Sequence, residues 1–294
     1  MLSILIPTYN YDVSQLIENI HNQCKECKID FEILINDDAS KEIITSKNLE
    51  QKFDCCRVFI QQENIGRSRS RNFLVSKSKF SWILFLDSDV LPASENYIKL
   101  YLTHTKSRYH IINGGLRYYD FTPPKEELLR WKYGKEREAL DIEKRLTTPH
   151  KNSFLSSNLL IHKSVFDKVT YDESINKYGY EDLLFEKEVN KLNYNILQID
   201  NTVYHLKLDT SEDFLNKFKQ SLQNLSYLIK VGKLDYDDTK ISRIYKKTKL
   251  PILKQIVVLL FNIFEKKMYN HLKSSKTSLF VFDLYRIGYF TKKF

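Results

Sequence analysis

Short strand-like runs alternating with stretches of helical spacing constrain this chain more than any other feature. Leu2–Ile6, Phe31–Ile35, Arg57–Ile60 and Trp82–Leu86 read as strands. Between them, Asp12–Cys24 sets Val13, Leu16, Ile17 and Ile20 on one helical face, and Lys41–Phe53 and Ile65–Ser78 also read as helices. A helix from about Ser94 and a strand near His110–Asn113 continue the series. Such alternation argues for an α/β fold with a mainly parallel sheet and helices on both faces. The runs are apolar at successive positions, as strands buried on both faces require. Ligands of such sheets bind beyond the carboxyl ends of the strands. Here those ends carry Thr8-Tyr9-Asn10, Asp37-Asp38 and Asp87-Ser88-Asp89, so polar and largely acidic clusters converge on one edge.

Beyond Gly115 the pattern is irregular. Tyr118–Asn152, with Pro123-Pro124 and Trp131, reads as an inserted loop with some helix, and Asn152–Lys163 as a further apolar segment. Glu181–Leu192 reads as a helix, Asn195–Ile199 and Thr202–Leu206 as strands, and Ser211–Val231 as a long helix with Ser211 as N-cap. Two domains are expected: 1–239, in two halves that meet at about residue 115, and a basic, helical, aromatic-rich extension at 240–294.

Charge is distributed unevenly. Residues 240–294 hold 13 Lys and Arg against Glu265 and Asp283, a net of +11; the whole chain is +9, so residues 1–239 sum to −2. The basic extension implies a local anionic partner, and the acidic remainder argues against a nucleic-acid binder. Cys24, Cys27, Cys55 and Cys56 do not have zinc-ribbon spacing and read as reduced thiols. The first residues lack a basic stretch and become strand-like at once, so a secretion signal is not expected and the expected location is cytoplasmic.

The chemistry-bearing segments each have a plain structural alternative. Asp87-Ser88-Asp89 can hold a divalent cation such as Mn²⁺ or Mg²⁺ and a ribose, or simply form a turn. One of Asp37 and Asp38 can accept from a base N–H while the other caps, and the residues alone do not say which. Gly66 opens a helix carrying Arg67, Arg69 and Arg71; a helix N-terminus and a guanidinium both suit a diphosphate. Arg67 and Arg71 share a face, whereas Arg69 reads as solvated. Glu181-Asp182 is either chemical or a complement to a helix dipole.

Taken together these segments resemble family 2 glycosyltransferases of the GT-A fold. The likeness runs through Ser3–Asn10, Ile33–Ser40, Asn64–Asn72, Asp87–Asp89, Ser157–Lys163 and Tyr178–Asp182, in family order over about residues 1–205. Val169-Thr170 stands where the family often has two glycines, while Asp172-Glu173 is retained. The resemblance implies a metal-dependent, inverting transfer of a hexosyl unit from a nucleotide diphosphate sugar to a saccharide or lipid-linked acceptor of bacterial surface polysaccharide. It places Pro7, Thr8, Tyr9, Asp37 or Asp38, Gly66, Arg67, Arg71, Asp87 and Ser88 about the nucleotide, with uridine as the base. It places Asp89 on the metal, with Asp87 reaching ribose or metal through water. Asn158, Asp172 and Glu181 fall to the sugar or acceptor, and Asp182 is the general base. His205 is either a third metal ligand, as in several GT-A enzymes, or structural. A nucleotidyltransferase would more often show a Gly-rich basic loop near the start, absent from Leu2–Asn10. A non-catalytic sugar-binding module would not need both acidic pairs.

In the extension, Pro251–Phe264 is an apolar run flanked by lysines and too short to span a bilayer. It reads as a helix packing on the protein or on a second protomer, giving a homodimer. The alternative is an interfacial helix on the anionic inner leaflet of the plasma membrane.

Overall fold

Burial of successive side chains makes Leu2–Thr8 (β1) the spine of the fold. The computed structural model describes residues 1–41, 46–147, 154–175 and 178–294. After β1 come Ser14–Glu26 (α1), Phe31–Asp37 (β2), Ser46–Lys52 (α2), Cys56–Ile60 (β3), Arg67–Lys77 (α3), Trp82–Leu86 (β4) and Val90–Pro92 (β5). Then follow Tyr97–His104 (α4), Ile111–Asn113 (β6), Leu116–Arg117 (β7), Leu128–Tyr133 (α5), Ile142–Thr147 (α6) and Asn158–His162 (β8). Glu181–Lys191 (α7), Ile196–Gln198 (β9), Val203–His205 (β10), Ser211–Lys230 (α8), Lys240–Thr248 (α9), Pro251–Leu272 (α10) and Leu279–Lys293 (α11) complete the chain. Of the helix expected at Lys41–Phe53, residues 42–45 lie outside the described residues, as do the first two of Asn152–Lys163.

Seven strands form one sheet in the order β3-β2-β1-β4-β8-β6-β9. β1 pairs in parallel with both β2 and β4, whereas β8 runs antiparallel to β4 and β6. Strand order reverses at β1, so a crevice opens beyond the carboxyl ends of β1 and β4, the usual ligand position of such sheets. Beneath it, Leu5, Leu34, Leu74, Phe85, Leu159 and Phe185 belong to one buried apolar cluster.

A second sheet, β5-β10-β7, joins β10, which lies within the strand expected at Thr202–Leu206, to β5 and β7, which were not expected and are only three and two residues long. It matters because the antiparallel register sets His205 opposite Val90, next to Asp89. The long helix begins one residue earlier in cap terms than expected: Thr210, not Ser211, is the N-cap, its hydroxyl accepting the Asp213 amide at 3.1 Å.

The chain divides into two compact units. One comprises Met1–Tyr119, Glu138–Asn176 and Glu181–Lys207; the other comprises Asp120–Arg137, Lys177–Tyr180 and Leu208–Phe294. The boundary expected at 239/240 therefore falls inside the second unit. The reason is aromatic packing: Phe214 of α8 stacks on Phe282 of α11 at 5.5 Å and meets Tyr133 of α5 at 5.2 Å. In α10 only Phe261 and Leu272 are buried. Phe261 sits so close to Gly288 of α11 that a Cβ there would lie 2.2 Å from its ring.

Candidate active site

The two aspartates at the end of β2 divide their work. Asp38 accepts the amides of Ile65 at 2.7 Å and Gly66 at 2.9 Å, one on each carboxylate oxygen. Burial raises its pKa against the pull of those amides. It thereby fixes the loop that starts α3, where Gly66 has φ +84°, a left-handed value that penalises any side chain. Asp37 accepts the Ser40 amide through Oδ1 alone. Thr8 is buried, its hydroxyl donating to the Tyr11 carbonyl, and its own carbonyl accepts the Asp38 amide. Pro7 pairs in register with Asn36, and Tyr9 is exposed at the mouth of the edge.

Arg71 is the pivot. It is 2% exposed, and its guanidinium lies over the Tyr171 ring at 5.3 Å. Nη2 donates to Asp87 Oδ1 at 3.0 Å, and Nη1 lies 3.6 Å from Asp182 Oδ1. Nε and Nη1 have no hydrogen-bond partner among the described residues. Burial alone would raise the Asp87 carboxyl, but Arg71 and then Arg67 hold it below its ordinary value. Asp182 goes the other way. Burial lifts it, Glu181 and Asp87 add repulsion, and Arg71 and Ser156 only partly offset them.

Asp182 is held firmly at the start of α7. Its carboxylate accepts the Ser156 hydroxyl at 2.6 Å and the Ser156 amide at 3.2 Å. Ser156 in turn shares a 2.6 Å hydrogen bond with the Tyr171 hydroxyl, and the Tyr171 ring stacks on Phe185 at 4.3 Å. Neighbouring Glu181 is buried and faces half-exposed Arg67 at 3.5 Å. Asp172 closes a turn by accepting the Ser174 amide and hydroxyl, while Asn72 clamps that segment through Tyr171 and Glu173.

Asn158 is a brace and not a sugar contact. Its oxygen accepts the Tyr97 and Tyr101 hydroxyls, both at 2.6 Å, and its amide donates to the Gly115 and Asn201 carbonyls. Two acceptor and two donor positions are thereby filled, leaving nothing to offer a ligand. Gly114 permits this crowding, since a Cβ there would lie 2.3 Å from the Asn201 carbonyl.

The glycosyl transferase family 2 profile matches residues 3–170. The chain belongs to glycosyl transferase family 2. An uncharacterized glycosyltransferase of Haemophilus influenzae is 32% identical over 131 residues, 40% of this chain and 42% of that protein. One of Rickettsia bellii is 35% identical over 92 residues, 31% of this chain and 13% of that protein. The matches thus span less than half of either relative. Among solved structures, GalNAc-T7 with UDP, GalNAc and Mn²⁺ aligns with a TM-score of 0.55 at 19% identity, covering 84% of this chain and 53% of the other. The mannosyltransferase PcManGT of Pyrobaculum calidifontis, in complex with GDP-Man and Mn²⁺, gives 0.54 at 11% identity, covering 96% and 85%. The fold is therefore that of the GT-A glycosyltransferases.

Within this GT-A frame the three expected metal ligands are not gathered as one cluster. Among the described residues no group of three His, Cys, Asp or Glu is placed to hold an ion. Asp87 is turned to Arg71, with half-buried Ser88 beside it. Asp89 Oδ2 and His205 Nε2 do face each other, 3.7 Å apart, and the His205 ring stacks on Tyr118 at 5.3 Å. Two ligands each about 2.1 Å from an ion can be up to about 4.2 Å apart, so this pair fits a divalent cation. The remaining positions would fall to nucleotide phosphates and water, as is common for hard cations.

Reading from the sequence missed Ser156 and Tyr171, which orient Asp182. Neither residue type nor spacing distinguishes them from ordinary loop and core positions. It also missed Arg145, whose buried guanidinium donates to the backbone carbonyls of Asn113, Gly114, Leu140 and Ile199 and so fixes the turn that receives Asn158.

Proposed function

We propose that this enzyme transfers a hexosyl unit, with inversion, from a uridine diphosphate sugar to a hydroxyl of a saccharide or lipid-linked saccharide in bacterial surface polysaccharide synthesis. The observation that carries the reading is one buried carboxylate, Asp182, oriented by Ser156 and bordered by Arg71, on the edge that also bears Asp37, Asp87 and Asp89. Asp37 accepts from the base, because Asp38 has both oxygens committed to the loop before α3. Asp89 and His205 would hold a divalent cation, which would supply positive charge against the departing diphosphate. Asp182 takes the proton of the attacking acceptor hydroxyl. Glu181, kept in place by Arg67, orients the sugar or acceptor. A single carboxylate base suits one in-line displacement, and no second carboxylate is needed as a covalent nucleophile.

The apolar stripe of α10 supports work at a membrane. Ile252, Ile256, Leu259 and Ile263 recur at helical spacing and are 76%, 48%, 60% and 62% exposed. Among the described residues no helix is long and apolar enough to cross a membrane. Apolar exposure combined with a net charge of +11 over residues 240–294 suits the surface of an anionic leaflet.

Asp182→Asn tests the chemistry. Removing a general base lowers turnover by about 100-fold or more, while affinity for uridine diphosphate stays near that of the wild type. Steady-state kinetics with calorimetric donor binding makes the check. Wild-type turnover in the variant would remove Asp182 from its role.

A further inference from the structure

A cleft on the chain lies away from the catalytic edge. It has a volume of about 640 Å³ and is lined by residues just before β6, just after β8, and in the turn between α7 and β9. β8 is antiparallel to β4, so His162 lies opposite Trp82 and Asn158 opposite Leu86. The cleft therefore opens at the edge where β4 begins, whereas Asp87 and Asp89 lie past its end. Four residue steps of about 3.3 Å separate the two edges by roughly 13 Å along the strand. No residue of the catalytic edge lines it.

Its walls combine two features. The first is aromatic: Tyr109 and Tyr194 line it, with the His110 ring packed edge-on to Tyr194 at 5.7 Å. The second is cationic. Arg108 lies over the Tyr109 ring at 5.3 Å, and Lys168 over the Tyr194 ring at 5.7 Å. Neither cation has an ion pair among the described residues, although Asp167 lines the same cleft. Each is parked on a tyrosine, a weak attraction at an exposed site, and Arg108 also donates to the Tyr109 hydroxyl at 3.5 Å. An anion offers such cations a charge-assisted, hydrogen-bonded alternative. The amides of Asn193 and Asn195 add neutral donors and acceptors of the kind that hydroxyl-rich ligands use.

We infer that this cleft binds a sugar residue bearing a carboxylate or a phosphate, its ring against Tyr194 and its anion between Arg108 and Lys168. Assigning that sugar to the acceptor chain rests on the transferase reading above. On that assignment, the cleft grips the acceptor at a distance from the bond being made. Retention of a long acceptor would then rise without any change in donor affinity.

Calorimetric titration of the full chain with a glucuronate-containing tetrasaccharide, glucose 6-phosphate, neutral maltotetraose and inorganic phosphate tests the site directly. The test requires no turnover, so it stands apart from the assignment of the reaction. At least one anionic sugar is expected to bind saturably, more tightly than maltotetraose and inorganic phosphate. The preferred one identifies the acidic group. Arg108→Gln with Lys168→Gln, and separately Tyr194→Ala, are each expected to weaken it by about tenfold or more, with uridine diphosphate binding unchanged. Equal binding of the neutral tetrasaccharide would overturn the anion requirement. Inorganic phosphate matching glucose 6-phosphate would overturn sugar recognition. Undiminished binding in the double variant, or no saturable binding of either anionic sugar, would overturn the site.

Discussion

Arg71 shows how a single buried cation sets the state of two carboxylates with opposite duties. It holds Asp87 ionised and lies close enough to Asp182 to restrain, without cancelling, the rise that burial imposes. Arg71→Gln removes that restraint. The acid limb of the pH–rate profile, where Asp182 must lose its proton, then moves to higher pH. Two carboxylates are also left facing each other, at a stability loss of about 3 kcal/mol, checked by urea unfolding. One turn along α7, buried Glu186 has its pKa raised to about 7 by burial and by Asp182. A carboxyl raised on folding favours the fold fully below its unfolded value of 4.5, and that contribution is lost as pH climbs to about 7. Glu186→Gln abolishes this slope. The variant should gain stability over the wild type as pH rises through that window, by roughly 3 kcal/mol once Glu186 would be ionised. Unfolding series at pH 4.5 and pH 8 make the comparison.

At the scale of elements, the start of α3 is built by a neighbour and not by its own cap. Gly66 supplies no side chain, and Asp38 takes its amide from across the crevice. Asp38→Asn leaves a single acceptor oxygen for two amides, so one buried donor loses its partner, at about 1–3 kcal/mol. Asp37→Asn keeps the oxygen that Ser40 needs. It should leave the melting temperature nearly unchanged and weaken uridine diphosphate binding. A swap of these two phenotypes would reverse the assignment of the base contact. The sequence made the β1–β4 series legible because fully buried strands must be apolar at successive positions, and that series alone brought three polar clusters, two of them acidic, to one edge. It could not divide Asp37 from Asp38, since both roles call for the same side chain and only the paths of residues 64–66 distinguish them. Asn158 misled for a related reason: an amide suits a sugar and a buried brace equally. Of the β5-β10-β7 sheet only β10, within Thr202–Leu206, was legible, because β5 and β7 are three and two residues long and carry no periodicity.

Over the whole molecule the sequence is electrically divided, with −2 over residues 1–239 and +11 over residues 240–294. Charge alone attracts an anionic surface but does not retain a protein there at physiological salt, where exposed charges are screened beyond about 8 Å. On the membrane reading proposed above, the α10 stripe would supply the second requirement, because apolar area entering an interface contributes about 25 cal/mol per Å² and is not screened. The two contributions can be separated. Ile252→Ser, Leu259→Ser and Ile263→Ser remove exposed apolar groups that the protein's own core does not use. Folding and turnover on a soluble acceptor should therefore persist, while sedimentation with phosphatidylglycerol vesicles falls by an order of magnitude or more. Lys266→Gln with Lys267→Gln instead removes about 1 kcal/mol per charge near the surface, a loss that should shrink as salt is raised. If the triple serine variant sedimented as the wild type does, α10 would not be the membrane contact. If it lost self-association instead, the stripe would be the seam between two copies of the enzyme.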